Sequence, residues 1–228
     1  MDKRTTPTSA TLLRRDEIFA EIKELVLACK LSPGSKIYEQ EFAQRFGVSK
    51  SPVRDALHRL HMEGLVDILP RKGYRVRPIS MVDAVELYEM RILLEQACIE
   101  RACRAASNSG LAALDQFRTG PPGPMMQQWL AYDRDFHLAL ATLSGNDRLT
   151  STTRNVVHEF ERLLCASVAS YGGGAERNRT LQRIVQEHSA IIDAIKSRDE
   201  RHSRSLILAH IEASRKQFLG SFAAGTVE

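Results

Sequence analysis

Residues Glu41 to Val66 read EFAQRFGVSKSPVRDALHRLHMEGLV and carry the strongest structural signal in the first third of the chain. It predicts two short helices joined by a tight turn at Gly47, whose missing Cβ permits the backbone conformation that such a turn needs. Ser49 or Ser51 is the candidate N-cap of the second helix, with Pro52 at its first position. The stretch therefore predicts a helix-turn-helix.

The second helix has two chemically different faces. Its apolar residues fall at the spacing of a buried stripe, namely Val53, Ala56, Leu57 and Leu60. The opposite face carries Lys50, Ser51, Arg54, His58 and His61. Short polar and basic side chains at the start of a helix suit one that enters the DNA major groove by its N-terminal end. We therefore expect this helix to read DNA and to end at Gly64.

Two short strands, Leu65–Leu69 and Tyr74–Arg77, are predicted after the helices, joined by the basic turn Pro70-Arg71-Lys72-Gly73. Together with the two helices, this hairpin predicts a winged helix-turn-helix. Residues 1–78 carry 15 Lys and Arg against 10 Asp and Glu, a net charge of +5, whereas residues 79–228 carry 17 against 18, a net charge of −1. A helical hairpin inside a core would explain the apolar stripe but not this charge. The asymmetry favours a polyanion as the partner of the first domain.

The pattern GVS, a basic residue, PVRxALxxL and GLV, followed by a glycine-tipped wing, resembles the GntR family of bacterial transcription regulators. The resemblance covers about Ala10 to Pro78 and implies double-stranded DNA as the partner. It implies contacts by Lys50, by Arg54 and by the wing tip at Arg71, Lys72 and Gly73. The family usually has Arg where this chain has Lys50, and Lys holds a phosphate but lacks the fork for bidentate guanine readout. Ser51 and His58 are candidate contacts on the same face.

The composition sets the domain organisation. A chain of 228 residues with 43% hydrophobic and 26% charged residues has room for two modest cores. We expect a mobile tail at residues 1–9, a DNA-binding domain at 10–78 and a second domain at 79–228. No apolar run approaches the roughly 20 residues of a membrane span, and the N-terminus lacks a secretion signal, so a cytoplasmic protein without a membrane partner is expected. The four cysteines lack paired spacing and are predicted to be buried thiols.

The second domain is predicted to be all-helical, because helical periodicity recurs after Ser80 and no segment alternates like a strand. Long helices are expected over about 83–106, 125–143, 148–171, 177–197 and 201–219, with Ser80 and Asp83 capping the first of them. One short helix is expected within 107–120. The predicted fold class is therefore mainly α, with an N-terminal winged helix-turn-helix and a C-terminal helical bundle.

Polar residues occupy the apolar stripes of three of these helices. Asp133 and His137 lie one turn apart on one stripe, and His188 and His210 lie at the centres of two others. Burying such groups costs several kcal/mol each unless they find partners. A lone histidine on an apolar stripe is more often a satisfied core residue, but a bundle brings mid-helix residues together, and one divalent cation satisfies all four. We predict a metal site, with zinc favoured and nickel, manganese or iron as alternatives.

The motifs around these residues sharpen the prediction. A DxxxH pair at Asp133 and His137, an EHxxIxxAI run around His188 and an AHI run around His210 resemble the FCD domain of the FadR subfamily. The resemblance implies a divalent ion held by these four residues at the floor of an effector cavity. Arg91 lies close to the expected apolar stripe of the first long helix, which is Leu87, Leu94 and Cys98. It either forms a helix-surface ion pair with Glu95 or, as the resemblance suggests, clamps a small carboxylate effector.

These features favour a ligand-responsive transcription regulator, a repressor, that binds a palindromic operator as a homodimer and is not an enzyme. One alternative is a metal-dependent hydrolase fused to a DNA-binding head. Against it, Glu187 immediately precedes His188, so on a helix its side chain is expected to point away from the cluster, which leaves no general base. Another alternative is a regulator for which the metal itself is the signal.

Overall fold

The computed structural model describes residues 9–123, 125–166 and 174–223 of the chain. It divides the chain into two compact units, Met1–Ile79 and Ser80–Glu228. The expected tail at 1–9 lies outside the described residues except for Ser9, which begins a helix. The end of the helix expected over 148–171 and part of the proline-rich loop also lie outside them.

The first unit is a winged helix-turn-helix. Its helices are α1 (Ser9–Leu27), α2 (Glu39–Phe46) and α3 (Lys50–Met62), and its strands are β1 (Lys36–Ile37), β2 (Val66–Leu69) and β3 (Gly73–Val76). The strands form an antiparallel sheet in the order β1-β3-β2. In the wing hairpin Val66 lies opposite Val76, and Leu69 lies opposite Gly73. The sequence patterns predicted α2, α3, β2 and β3, but neither α1 nor the two-residue β1.

The helix-turn-helix differs from the prediction in its helix ends. Gly47 has a φ of +63° and terminates α2 as expected, because this left-handed conformation suits glycine. Ser49 is the N-cap of α3, so Pro52 occupies the third helical position rather than the first. Its missing N–H still costs nothing there, since the first four N–H groups of a helix have no intrahelical partner. Gly64, with a φ of +75°, lies one residue beyond the C-cap Glu63.

The core of this unit lies between α1, α3 and the sheet. Its fully buried side chains include Ile22, Ile37, Val53, Leu57, Leu60, Val66 and Val76. The predicted stripe of α3 is buried, which leaves the opposite face of that helix in solvent. Burial of each such aliphatic side chain contributes about 1.5–3 kcal/mol, so the stripe fixes which face of α3 remains available.

The second unit contains helices joined by short loops and no strand among its described residues. Its helices are α4 (Met81–Ala105), α5 (Asn108–Ala113), a 3₁₀ helix (Leu114–Arg118), α6 (Met126–Leu143), α7 (Asp147–Ala166), α8 (Gly174–Lys196) and α9 (Glu200–Ala223). As predicted, Ser80 caps α4, accepting a 2.9 Å hydrogen bond from the Asp83 amide. Helix α4 packs against α6, α7 and α9, and α8 packs against α9. The mainly α fold class is thus confirmed.

Two expectations about burial need correction. The stripe expected on α4 was Leu87, Leu94 and Cys98, but the first two are only partly buried. The buried stripe is instead Ala84, Tyr88, Arg91, Glu95, Cys98, Ile99 and Ala102. Among the cysteines, Cys98 and Cys103 are buried, whereas Cys29 and Cys165 are partly exposed. No helix among the described residues is both long enough and apolar enough to span a membrane.

Candidate functional site

The four polar residues singled out on the helical stripes meet in the interior of the second unit. One ligand atom from each of Asp133, His137, His188 and His210 lies within 4.8 Å of the others. The Nε2 atoms of His137, His188 and His210 are 3.7, 3.5 and 3.9 Å from Asp133 Oδ1. Helix α6 supplies Asp133 and His137, α8 supplies His188 and α9 supplies His210. Three helices therefore position one cluster.

Each imidazole of the cluster has a partner on its other nitrogen. His137 Nδ1 lies 2.5 Å from Glu95 Oε2 of α4, and His210 Nδ1 lies 2.8 Å from Glu187 Oε2 of α8. His188 Nδ1 lies 3.2 Å from the Tyr132 hydroxyl oxygen. Metal-binding histidines usually donate their second ring N–H to a carboxylate, carbonyl or similar group, which fixes the orientation of the ring.

These partners determine which nitrogen carries the proton. A carboxylate only accepts hydrogen bonds, so His137 and His210 donate from Nδ1 to Glu95 and Glu187. The Tyr132 hydroxyl donates to the Phe117 carbonyl at 2.7 Å, so its oxygen accepts from His188 Nδ1. In their neutral forms, all three imidazoles then turn an Nε2 lone pair toward Asp133 Oδ1. Four electron-rich atoms facing one another repel unless a cation lies among them.

Several observations fit a transition-metal ion at this point. His188 Nε2 is buried and has no hydrogen-bond partner among the described residues. The Nε2 atoms of His210 and His137 are 3.3 Å apart, and two nitrogens about 2.1 Å from one tetrahedral ion would be about 3.4 Å apart. Burial lowers the pKa of His188 to about 3, which keeps this imidazole in the neutral form that binds metals.

The two acids at the cluster also favour a cation. Although burial opposes it, the electrostatic interaction with the nearby imidazoles, that of His137 above all, holds the pKa of Asp133 well below its usual value. Burial lowers the pKa of His137, but the carboxylates of Glu95 and Asp133 outweigh it and raise that pKa overall. The field that attracts a proton to His137 attracts a metal cation equally.

Sequence reasoning missed the three outer partners. Glu187 was expected to point away from the cluster, and this was wrong, because its carboxylate reaches His210 on the neighbouring helix. Tyr132 precedes Asp133 in the chain, yet it turns toward His188. Glu95 carried one usable signal, since it shares the 3, 4 spacing of the buried stripe of α4 with Arg91 and Cys98.

Arg91 lies beside this cluster but not at the surface. Its Nε donates a 2.7 Å hydrogen bond to Glu95 Oε1, and the two side chains are 1% and 0% exposed. The pair with Glu95 therefore exists, but the prediction of a helix-surface pair was wrong. The guanidinium carbon lies 3.9 Å from the ring centroid of Phe160, and Nη2 is buried without a hydrogen-bond partner among the described residues.

A pocket of about 300 Å³, including the space at its mouth, opens beside Asp133 and His210. Its other lining residues are Leu164, Arg183, Ile184, Glu187, Ser214 and Gln217. A second, largely apolar pocket of about 270 Å³ shares Asp133, Leu164 and Ile184 with the first and is also lined by Met126, Trp129, Leu130 and Leu181. The cluster is thus bordered by a polar space and an apolar space that meet at Asp133.

The residues predicted to contact DNA lie on two exposed features of the first unit. On α3 the side chains of Lys50, Ser51, Arg54 and His58 are exposed. At the wing, Lys72 N–H donates to the Leu69 carbonyl at 3.0 Å, which closes a turn with Pro70 and Arg71 at its centre. Arg71 has a φ of +62°, where glycine is usual, and Arg71 and Lys72 are exposed. Gly73 is partly buried, with a φ of +89°.

The fold and these two sites define a DNA-binding regulator with a ligand-binding helical domain. The chain belongs to the GntR family: residues 14–76 match the family model described as bacterial regulatory proteins, gntR family, and residues 86–213 match the FCD domain. The family resemblance predicted from the motifs is confirmed. Both domains are found in transcriptional regulators, and the relatives described below are transcriptional regulators and not enzymes.

Among the relatives, the Nta operon transcriptional regulator of Aminobacter aminovorans is 31% identical over 190 residues, which are 82% of this chain and 86% of that protein. Among solved structures, E. coli McbR/YncC matches with a TM-score of 0.79 at 18% identity, covering 92% of this chain and 98% of that one. A GntR regulator from Rhodococcus sp. RHA1 matches with a TM-score of 0.75 at 22% identity, covering 92% and 99%. These two structures support the fold alone.

Proposed function

We propose that this regulator holds a divalent transition metal at Asp133, His137, His188 and His210, binds a palindromic operator as a homodimer, and responds to a small organic acid bound beside the metal. The observation that carries the metal proposal is the convergence of three Nε2 atoms on one carboxylate oxygen, each ring oriented by its own outer partner. When bound, the ion would neutralise these facing lone pairs and supply a Lewis-acidic anchor for a carboxylate.

The test of the metal site is elemental analysis of untagged protein purified without chelator. The wild type is expected to contain about one transition-metal ion per chain, and His188→Ala is expected to lose most of it. His202→Ala is the matched control, because His202 is exposed on α9 and lies outside the cluster. Wild-type protein that remains metal-free after incubation with zinc, nickel or manganese would refute the metal proposal and leave a hydrogen-bonded polar cluster.

The charges around the polar pocket favour a monocarboxylate. Asp133 and Glu187 contribute two negative charges, whereas Arg183 and a divalent ion contribute three positive charges, so the loaded site has an excess of about one positive charge. The neighbouring pocket, with Trp129 and Leu181 in its lining, offers an apolar surface for part of a ligand. We therefore propose an organic acid with one carboxylate and an apolar or aromatic group.

Arg183 and Arg91 are the candidate anchors for that carboxylate. Arg183 lines the pocket and donates to Glu187 at 2.7 Å, whereas one buried nitrogen of Arg91 has no hydrogen-bond partner in the part of the chain that the structure describes. Thermal shifts with benzoate, phenylacetate, acetate and succinate, measured on metal-loaded protein, test the class. Aromatic monocarboxylates are expected to stabilise the wild type most, and Arg183→Ala to lose that stabilisation. Equal shifts for acetate and benzoate would contradict the role of the apolar pocket.

Operator binding is the functional readout of the effector. An acid that binds the metal-loaded protein is expected to change its operator affinity by about 5- to 150-fold, the usual range of coupling between two sites. Fluorescence anisotropy with a labelled operator duplex measures this change. An acid that binds tightly and leaves operator affinity unchanged is not an effector. Metal addition that alone changes operator affinity, without any acid, would instead favour the metal as the signal.

A face of α4 supports the homodimer. Val82, Met90 and Leu93 are 67%, 41% and 67% exposed, and their spacing places them on one side of the helix. Large apolar side chains clustered in solvent are typical of an interaction surface. Sedimentation velocity is expected to show a dimer for the wild type and a monomer for Leu93→Glu. An unchanged dimer in that variant would place the interface on another surface.

The phosphate contacts are proposed from exposed charge. Lys50, Arg71 and Lys72 lie on the exposed face of α3 and at the wing tip. Each phosphate contact contributes about 0.9 to the slope of log affinity against log salt concentration. Lys72→Ala is therefore expected to reduce that slope by about 0.9 per head, for operator and random duplex alike. A variant that keeps the wild-type slope would exclude the wing from phosphate binding.

A further inference from the structure

The guanidinium of Arg54 is held by a carboxylate from the neighbouring helix. Arg54 Nε and Nη2 donate to Glu39 Oε1 and Oε2, both at 2.8 Å. Glu39 is the first residue of α2, and its side chain is 18% exposed, whereas that of Arg54 is 55% exposed. Two parallel, charge-assisted hydrogen bonds fix both the position and the plane of a guanidinium. Arg54 is therefore oriented before any DNA arrives.

The geometry leaves one edge of Arg54 available. A guanidinium has five N–H donors, and Glu39 occupies one on Nε and one on Nη2. The remaining donors, on Nη1 and Nη2, form the edge that can bind O6 and N7 of one guanine, which is the commonest specific contact to a base. A carboxylate on one edge thus directs the opposite edge outward from α3.

A direct ion pair distinguishes Arg54 from Lys50, the other basic residue at the start of α3. The Nζ of Lys50 contacts only the amide oxygen of Gln40, at 3.3 Å, among the described residues. Arg54 instead faces a full negative charge, because hydrogen bonds from Arg54 lower the pKa of Glu39. A neutralised ion pair attracts phosphate weakly, so the pair adds little to affinity for DNA in general. Its physical advantage is a fixed orientation, which serves base readout.

The wing side of the unit supports the same carboxylate. Tyr74 of β3 lies next to Glu39, and burial together with the charge of Glu39 raises the pKa of that tyrosine. The ring of Tyr74 also packs edge-on against His58 of α3, with 6.0 Å between ring centroids. Glu39 thus lies between α3 and the wing strand β3, and these contacts restrict its rotamer before DNA binds.

We propose that Glu39 is a positioning residue for DNA recognition, which orients Arg54 to read one guanine in each half-site. The inference rests on operator binding, which belongs to the proposed function, and it assigns Arg54 the role of base reader. Removing the carboxylate would leave Arg54 charged but free to rotate, and free to bind a phosphate instead. The expected consequence is lower discrimination at one base pair, with no loss of general affinity for DNA.

The test is selection of binding sites from random-sequence duplexes with the full-length protein, followed by affinity measurements on the selected operator and its single-base variants. Four proteins are compared: the wild type, Glu39→Gln, Arg54→Ala and Glu41→Gln. Glu41 is exposed in the same first turn of α2, so Glu41→Gln changes the charge near DNA by the same amount without touching Arg54. Thermal unfolding of each variant confirms that the fold is retained.

Arg54→Ala is expected to lose about 5- to 150-fold discrimination at one position per half-site, the range of a bidentate base contact. Glu39→Gln is expected to lose at least about threefold at that same position, with the salt slope unchanged, and Glu41→Gln to keep the wild-type profile. If Glu39→Gln matches Glu41→Gln, or raises the affinity for every sequence equally, Glu39 does not position Arg54. If Arg54→Ala keeps the wild-type discrimination at every position of the operator, Arg54 does not read a base, and the role of Glu39 is refuted with it.

Discussion

The buried pair of Arg91 and Glu95 gives the sharpest stability prediction. Both side chains are inaccessible, with 1% and 0% exposed, and Arg91 Nε lies 2.7 Å from Glu95 Oε1. Burial opposes ionisation of Glu95, but Arg91 and His137 outweigh it and lower the pKa of Glu95 to about 2, so the carboxylate is charged at neutral pH. Two charges about 4 Å apart attract each other by about 4 kcal/mol at an effective dielectric constant of about 20.

Glu95→Gln keeps the size of the side chain and removes the charge. Arg91 is then an uncompensated buried cation, and we expect the variant to lose about 3–5 kcal/mol of unfolding free energy. Arg91→Met leaves Glu95 with its hydrogen bond to His137, so its cost should be smaller. The double variant carries neither charge and is expected to be more stable than Glu95→Gln alone, by about 2–4 kcal/mol.

Urea unfolding followed by tryptophan fluorescence measures this double-mutant cycle. Trp129 is the only tryptophan of the chain and lies on α6, so the signal reports the helical unit. A chelator in every sample removes the contribution of bound metal to stability. If the two single losses add up in the double variant to within about 0.5 kcal/mol, the residues do not interact as the structure indicates, and the reasoning from the buried pair fails.

Three further predictions follow from the described contacts. Glu187→Gln should lower metal affinity about 10- to 100-fold without unfolding the helical unit, since it weakens the hydrogen bonds to His210 and Arg183 and leaves the four proposed ligands in place. Competition with a colorimetric chelator measures the affinity. Arg71→Gly should raise the melting temperature of the protein, measured by calorimetry, because a non-glycine residue in the left-handed region costs about 1–2 kcal/mol. The same substitution should weaken DNA binding, measured by fluorescence anisotropy. At pH 8, Cys98 should be unreactive toward a thiol reagent in the folded protein, because burial raises the pKa of its thiol to about 11; mass mapping of labelled peptides, with the unfolded chain as control, checks this.

Local signals were sufficient for most of the fold. Gly47 needs the left-handed backbone that ends α2, and Ser80 supplies the side-chain cap that begins α4, so both boundaries could be read from single residues. The strand β1 could not be predicted from the sequence, because its two residues are too few for an alternating pattern. Pairing with β3 is what defines this strand. Which serine capped α3 was equally open, because either one is compatible with Pro52 in the first turn.

The candidate cluster was partly predictable for a different reason. Histidine and aspartate at the centre of an apolar stripe are anomalous wherever the helices pack, so Asp133 and His188 were visible without a structure. Their outer partners depend on the rotation of one helix against another, which a single sequence does not encode. On α4 two adjacent stripes satisfy the same spacing, and the sequence favours the one without charges; the structure buries Arg91 and Glu95 instead, because each compensates the other.

The connections among the helices indicate why a ligand at this site would act on the whole helical unit. Glu187 of α8 accepts from His210 of α9 and from Arg183 of its own helix, so one carboxylate joins the cluster to the polar pocket. A carboxylate ligand that pairs with Arg183 competes with Glu187 for the same donors, and Glu187 in turn orients His210. In the proposed function, the metal holds α6, α8 and α9 together, and the acid redistributes the contacts between α8 and α9. Loss of effector response in Glu187→Gln, with its metal still bound, would support this coupling, and a wild-type response would exclude it.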